Sequence, residues 1–415
     1  MKKKFASVVL VSLGLVTAAC GSDTTSTENT TGATTAETAA PSTDAAVDTT
    51  AVSTECALDA PLKIGFAADL GELGAFSDQP GSEAAKVMVD KINAAGGVGG
   101  QQIEYVVKDI QGDPAATQRA AQELLDDGVN AIIGPPFAST GAPLLDTVNG
   151  AAPIIFMAST DPALADPTRG AFLASFSDPV QASAIAEYAL GKKFTKAVTL
   201  SSTDDVYFSG NPEYFTKVFT EGGGTVLGDY AYSLADSDFS TQVNEIAGLA
   251  DKPEVLFTAM VMPQTQVLLE QLDAAGLGDI VVTGVDGFDA TVVWSAGEVA
   301  NGVVFAAHTF PTADNNVQAF LDEAAAAGAK IETISFGALS ADAVQLIVAA
   351  VTKACSLDAA TLISTIDSLE NVQVTTGTVS YKGRNGVPDK DVSILTVENG
   401  APTLVQTLRP TNIPT

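Results

Sequence analysis

From Pro61 onward the chain alternates short apolar runs with amphipathic stretches, and few folds accommodate that rhythm. "LKIGFAADL" reads as a buried strand and "DQPGSEAAKVMVDKINAAGG" as a helix closed by glycines. "QQIEYVVKD" is a strand, "DPAATQRAAQELLDDG" a helix with Asp113 as its cap, and "NAIIGP" a strand again. "APIIFMAST", "KAVTLSS", "EVLFTAM", "DIVVTGVDG" and "GVVFAAHTF" continue the strand series, with "PQTQVLLEQLDAAG" and "NNVQAFLDEAAAAG" among the helices. Such alternation predicts an α/β architecture of mostly parallel sheets flanked by helices on both faces. The end of the chain departs from this rhythm, since "TTGTVSYKG" and "DVSILTVENGAPTLVQTL" read as antiparallel strands joined by turns.

The first residues read as an address. Lys2, Lys3 and Lys4 precede an apolar run from Phe5 to Val16, the pattern of a secretory signal and too short to span a bilayer about 30 Å thick. Thr17, Ala18 and Ala19 before Cys20 resemble the lipobox of bacterial lipoproteins. That resemblance implies removal of residues 1–19 and a lipid on Cys20, anchoring the protein to the outer face of the cell membrane. An ordinary secretory signal with an incidental cysteine is the alternative. Gly21 to Thr54 has almost no large apolar residues to offset the roughly 1–2 kcal/mol per residue that ordering a backbone costs. Residues 20–56 are therefore expected to form a disordered tether.

The remaining residues suffice for two lobes of ordinary domain size. A formal charge of −30 argues against nucleic acid or an anionic membrane surface as partner. No second apolar stretch of spanning length is evident. With Cys20 lipidated, Cys56 and Cys355 remain, and an exported setting permits either a disulfide between them or two buried thiols. The single His308 and the absence of Cys-x-x-Cys leave no metal motif, and no cofactor is expected.

In parallel sheets, ligands bind beyond the carboxyl ends of the strands. The segments there are "ADLGELGAFSDQPG", "IGPPFASTG", "MASTDP", "SSTDDVYFSG", "TAMVMPQ" and "GVDGFDA", rich in hydroxyls and aromatics and nearly devoid of Lys and Arg. Together with "GDPAATQRAAQELLDDGVNAIIGP" and "GTVSYKGRNG", in this order, they resemble the leucine-isoleucine-valine-type substrate-binding proteins of ABC importers. The resemblance covers Leu62 to about Leu408 and implies the type I periplasmic binding protein fold: two α/β lobes, three hinge crossings and a ligand cleft. The crossings are expected near Ser177, Thr309 and Thr378. Lobe one would hold 57–177 plus 310–377, and lobe two 178–309 plus 378–415. Cys56 and Cys355 would then share lobe one, which favours the disulfide.

The resemblance also implies roles. An amino acid's carboxylate needs hydroxyls and helix N-terminal amides. Ser139 and Thr160 are candidates through their hydroxyls, Ala138 and Ala158 through their backbones, although Ala138 stands where related binders often carry the key serine. Helix capping is the competing role for these hydroxyls. Asp286 falls where the family has an acid, typically Glu, for the ammonium; a plain turn aspartate before Gly287 is the alternative. Tyr207 matches a tyrosine that closes over the ligand, and Phe76 an aromatic wall; a core aromatic is the alternative for each. Val261 and Met262 replace a tyrosine-rich pair and make the wall more apolar. The implied function is capture of a small branched-chain or aliphatic amino acid by a monomer, and its delivery to an ABC permease. Alternatives are a binder of an amide, urea or aromatic acid, or a ligand sensor of the same fold. A hydrolase would have to use His308 without a Gly-x-Ser-x-Gly elbow.

Overall fold

The computed structural model describes residues 56–414. The expected signal segment, Cys20 and the tether up to residue 55 lie outside the described residues. The chain opens with β1 (Leu62–Ala68), α1 (Ala75–Ala94), β2 (Ile103–Asp109), α2 (Pro114–Asp126), β3 (Ala131–Gly134), α3 (Ala138–Val148), β4 (Ile154–Phe156) and β5 (Ala171–Leu173). These strands form one parallel sheet in the order β2–β1–β3–β4–β5.

A second run follows: α4 (Asp178–Gly191), β6 (Lys196–Ser201), α5 (Val206–Glu221), β7 (Thr225–Ala231), α6 (Ser240–Ala247), β8 (Val255–Thr258), α7 (Gln264–Ala274), β9 (Val281–Gly284), α8 (Thr291–Trp294) and β10 (Val304–Ala307). Helices α9 (Val317–Ala326), α10 (Ile334–Ala354) and α11 (Ala359–Asp367) and the hairpin of β11 (Val372–Val374) and β12 (Gly377–Val379) return to the first lobe. The chain then crosses back to β13 (Val392–Glu398) and β14 (Ala401–Leu408). The second sheet runs β14–β13–β10–β9–β8–β6–β7, parallel except for β13 and β14.

Local chemistry explains the elements. Residues of β1 are buried on both faces, as a central parallel strand requires. Pro114 opens α2, and Asp113 caps it by accepting from the Ala116 amide. One face of the first sheet packs Phe66, Met88 and Phe172 against Leu339 and Ile347 of α10. The other face packs Ile132 and Phe156 against Leu124 and Leu144. The second sheet is likewise sandwiched, with Phe215 and Phe257 on one side and Leu256, Leu268 and Phe305 on the other.

Two sequence expectations need correction. Helix α10 is long and apolar enough to cross a membrane, whereas the sequence pattern suggested no second such stretch. Its residues are mostly buried inside the first lobe, so it is a core helix. The third crossing is not near Thr378, which lies in β12 of the first-lobe hairpin. Tyr381 is still inside the first lobe, its ring 5.3 Å from Phe172 and its hydroxyl donating to the Leu173 carbonyl at 2.7 Å. The crossing lies between Tyr381 and Val392, because Tyr381 buries its large ring in the first core and Val392 opens a strand of the second sheet.

Cys56 and Cys355 are joined by a disulfide, with their Cα atoms 5.4 Å apart. Cys355 caps the end of α10 in the left-handed conformation, φ 46°.

Candidate functional site

The lobes meet where strand ends of both sheets face each other. Immediately after β9, Asp286 sits on a short 3-10 turn and is 3% exposed. Its Oδ1 accepts from the Tyr207 hydroxyl at 2.8 Å, and its Oδ2 lies 2.9 Å from His308 Nε2. The Tyr207 hydroxyl in turn accepts from the Gly287 amide at 2.9 Å. Burial drives the Tyr207 hydroxyl well above its ordinary pKa, reinforced by the Asp286 charge, so it stays protonated and donates. Burial also lowers His308, leaving the imidazole neutral with Nε2–H directed at Asp286.

A second buried acid lies behind the first. Asp178, at the start of α4, accepts on Oδ1 from Thr160 Oγ1 at 2.7 Å, Asn211 Nδ2 at 2.8 Å and Gln181 Nε2 at 2.9 Å. Gln181 Oε1 accepts from the Asp286 amide at 3.1 Å, so one glutamine ties the two acids together. Burial, with the Asp286 charge adding, pushes Asp178 up to about 7 against the pull of its three donors. Asp289, also buried, is pushed up to about 7 by burial while Ser335 and its amide oppose the shift.

Aromatic rings close the space. Phe137, at the N-terminus of α3, packs within the second lobe's core, 5.9 Å from Tyr207 and 5.8 Å from Phe208. Phe76 lies 6.4 Å from Phe137 and 5.3 Å from Phe336 and touches the cores of both lobes. Phe176 stacks on His308 at 3.9 Å. Beside Phe76 opens a cavity of about 350 Å³, walled by Glu72 and Leu73 from one lobe and by Met262, Gln264, Gly287 and Ala290 from the other. Its walls carry no Lys or Arg.

Of the residues singled out from sequence, Tyr207 and Asp286 are bonded to each other, and Phe76 lines the cavity. Val261 is buried against Gly287. Thr160 is buried and its hydroxyl is committed to Asp178, while Ala158 is buried in the first lobe's core. Ala138 is half-buried. Ser139 is exposed, and its amide donates to Asp205 at 3.2 Å. Asp178, Gln181 and Asn211 do not stand out in the sequence, and His308 reads there only as a lone metal-ligand type or a hydrolytic base. The one available signal was an acid and a glutamine three residues apart at a helix start beside an expected crossing.

Two α/β lobes joined by three crossings, with buried acids and aromatics where they meet, define a bilobal solute-binding protein. A periplasmic binding protein family model matches residues 61–402, and the chain belongs to that family. It is a periplasmic solute-binding protein of the ABC-transporter type, in a family of substrate-binding transport proteins and not an enzyme class.

The Leu/Ile/Val-binding protein BraC3 of Rhizobium johnstonii is 25% identical over 346 residues, covering 82% of this chain and 93% of that protein. Among solved structures, the branched-chain amino acid transporter substrate-binding protein LivJ of Streptococcus pneumoniae, in complex with isoleucine, superposes with a TM-score of 0.77. It shares 24% identity and covers 84% of this chain and 100% of that one. A Rhodopseudomonas palustris solute-binding protein in complex with benzoate gives 0.74 at 19% identity, covering 85% and 98%. These structures support the fold.

Proposed function

We propose that the cleft captures a small amino acid of the aliphatic, branched-chain type and delivers it to an ABC permease. The ammonium would meet Asp286, whose two oxygens each accept one internal hydrogen bond and keep a lone pair to spare. The carboxylate would face the start of α3 and the Thr160 segment, and the side chain the cavity between Phe76 and Met262. The observation that carries this reading is a buried carboxylate next to a cavity without Lys or Arg, which suits a ligand bearing a positive charge. The name of the Rhizobium relative and the isoleucine in the Streptococcus structure support the same class.

An uncharged amide is the second reading. It is favoured by the Thr160 hydroxyl and the Ser139 amide already having partners. An aromatic acid such as that of the benzoate complex would bring a second negative charge to Asp286.

A thermal-shift screen across amino acids, amides and aromatic acids tests the reading. Leucine, isoleucine or valine should raise the melting temperature, and Asp286→Asn should remove the effect. Stabilisation by amides or aromatic acids alone would refute it. The anchoring part of the proposal rests on the basic start and on Cys20, and a Cys20→Ser chain should leave the membrane fraction.

A further inference from the structure

The expected pole for a solute carboxylate is the N-terminus of α3, which begins at Ala138 and has no side-chain cap of its own. That end is met from the other lobe. Asp205 Oδ1 accepts from the Tyr207 amide at 3.1 Å and so caps α5, while Oδ2 accepts from the Ser139 amide at 3.2 Å. The carboxylate of Asp205 thus holds one of the first amides of α3, at the end where a solute carboxylate would seat. A further acid faces it: Asp161, from the first lobe, is raised mainly by burial, and the Asp205 charge adds to the shift. Neither acid has an ion-pair partner among the described residues. A solute carboxylate brought to this end would meet like charge, which repels more strongly near a protein surface than in bulk water.

We propose that Asp205 is a specificity-determining residue that competes with a solute carboxylate for the Ser139 amide. A zwitterion seats its acid end at α3 only when Asp205 gives way; a solute with an uncharged head meets no like charge there. Asp205 therefore sets how strongly the cleft prefers an amino acid over its amide. The inference rests on the amino-acid reading of the cleft.

Calorimetric titration of leucine and leucinamide into wild type, Asp205→Asn and Asp205→Ser tests it. Asn keeps an oxygen for the Tyr207 amide and loses the charge; Ser still caps α5 but is too short to reach Ser139. In both variants the leucine-to-leucinamide affinity ratio should rise about tenfold, equivalent to ~1.4 kcal/mol. A ratio that stays flat or falls while leucine still binds overturns the role of Asp205 and leaves the amino-acid reading standing. Failure of every form to bind either compound overturns both.

Discussion

Asp286 Oδ2 lies 2.9 Å from His308 Nε2, and both side chains are buried. Asp286 leaves the end of β9 and His308 begins the crossing after β10, so this bond links the cleft acid to the hinge. Because burial lowers His308, the pair is a neutral donor on a carboxylate and not a fixed ion pair. His308→Ala would strand that oxygen, at a cost of about 1–3 kcal/mol. Urea unfolding should show a lower midpoint at an unchanged slope, and His308→Gln, which can present an N–H, should recover part of it. No recovery with Gln would mean that stacking on Phe176 is what His308 supplies.

Asp178 gives the fold a pH dependence of definite sign. Its carboxyl titrates at about 7 when folded and at about 3.9 in an unfolded chain. The folded state holds the proton more tightly, so this contribution is full below about pH 4 and is lost as pH rises to about 7. Asp178→Asn keeps an oxygen for Thr160, Asn211 and Gln181 without the titration. Melting curves from about pH 5 to about pH 7.5 should show the variant gaining on wild type as pH rises. Asp289 acts in the same direction and is present in both chains, so the gap isolates Asp178.

The disulfide between Cys56 and Cys355 closes a loop of sequence separation 299. Chain entropy alone puts a loop of that length at about 5–6 kcal/mol, while native disulfides typically contribute roughly 2–4 kcal/mol. Replacing both cysteines with serine should lower the melting temperature accordingly, and reductant should then have no further effect on the variant. Equal melting of the two chains would show the bond to be dispensable.

The alternation of strands and helices was legible because each parallel strand, buried on both faces, is an apolar run that stands out between amphipathic helices. β5 and β7 were not. β5 is the three-residue "AFL", and β7 is an edge strand with a half-exposed pattern that resembles no buried run. The sequence pattern starts α1 at Asp78, later than its true start at Ala75, because Pro80 lies inside the helix and not at its beginning. In the candidate site, Tyr207 and Asp286 stand out in the sequence because they follow strand ends in recognisable segments. Asp178, Gln181 and Asn211 could not, since their meaning comes from three elements converging on one carboxylate oxygen. The Asp205–Ser139 contact crosses between lobes, and neither local propensity nor spacing encodes such a pairing.

Lys390 ties two crossings together. Its ammonium donates to the Ala174 carbonyl in the first crossing at 3.0 Å and to Thr376 Oγ1 at 2.8 Å, and pairs with Asp342 Oδ2 at 3.2 Å. Both charged groups are buried. Lys390→Met leaves Asp342 charged and unpaired, which should cost about 3–5 kcal/mol in denaturant unfolding. Adding Asp342→Asn removes that stranded charge and should restore most of the loss. A double variant no more stable than Lys390→Met would show that the bonds to Ala174 and Thr376, and not the ion pair, set the contribution.

Gly287 offers a test of the cleft that leaves every charged group in place. A Cβ built there would lie 2.8 Å from the Tyr207 hydroxyl oxygen and 2.8 Å from Val261 Cγ1, closer than such atoms approach. Tyr207 cannot yield without leaving Asp286 Oδ1 and the Gly287 amide, the two groups its hydroxyl joins. Gly287→Ala should therefore weaken solute binding about tenfold or more, since losing a hydrogen bond to a charged group costs about 1.5–3 kcal/mol. Thermal shift at saturating leucine reads the binding loss, and melting without leucine reads the stability cost. Adding Tyr207→Phe separates the causes: without the hydroxyl the alanine clashes only with Val261, so Gly287→Ala should cost much less binding in that background. An equal cost in both backgrounds would place the effect on Val261 instead of Tyr207.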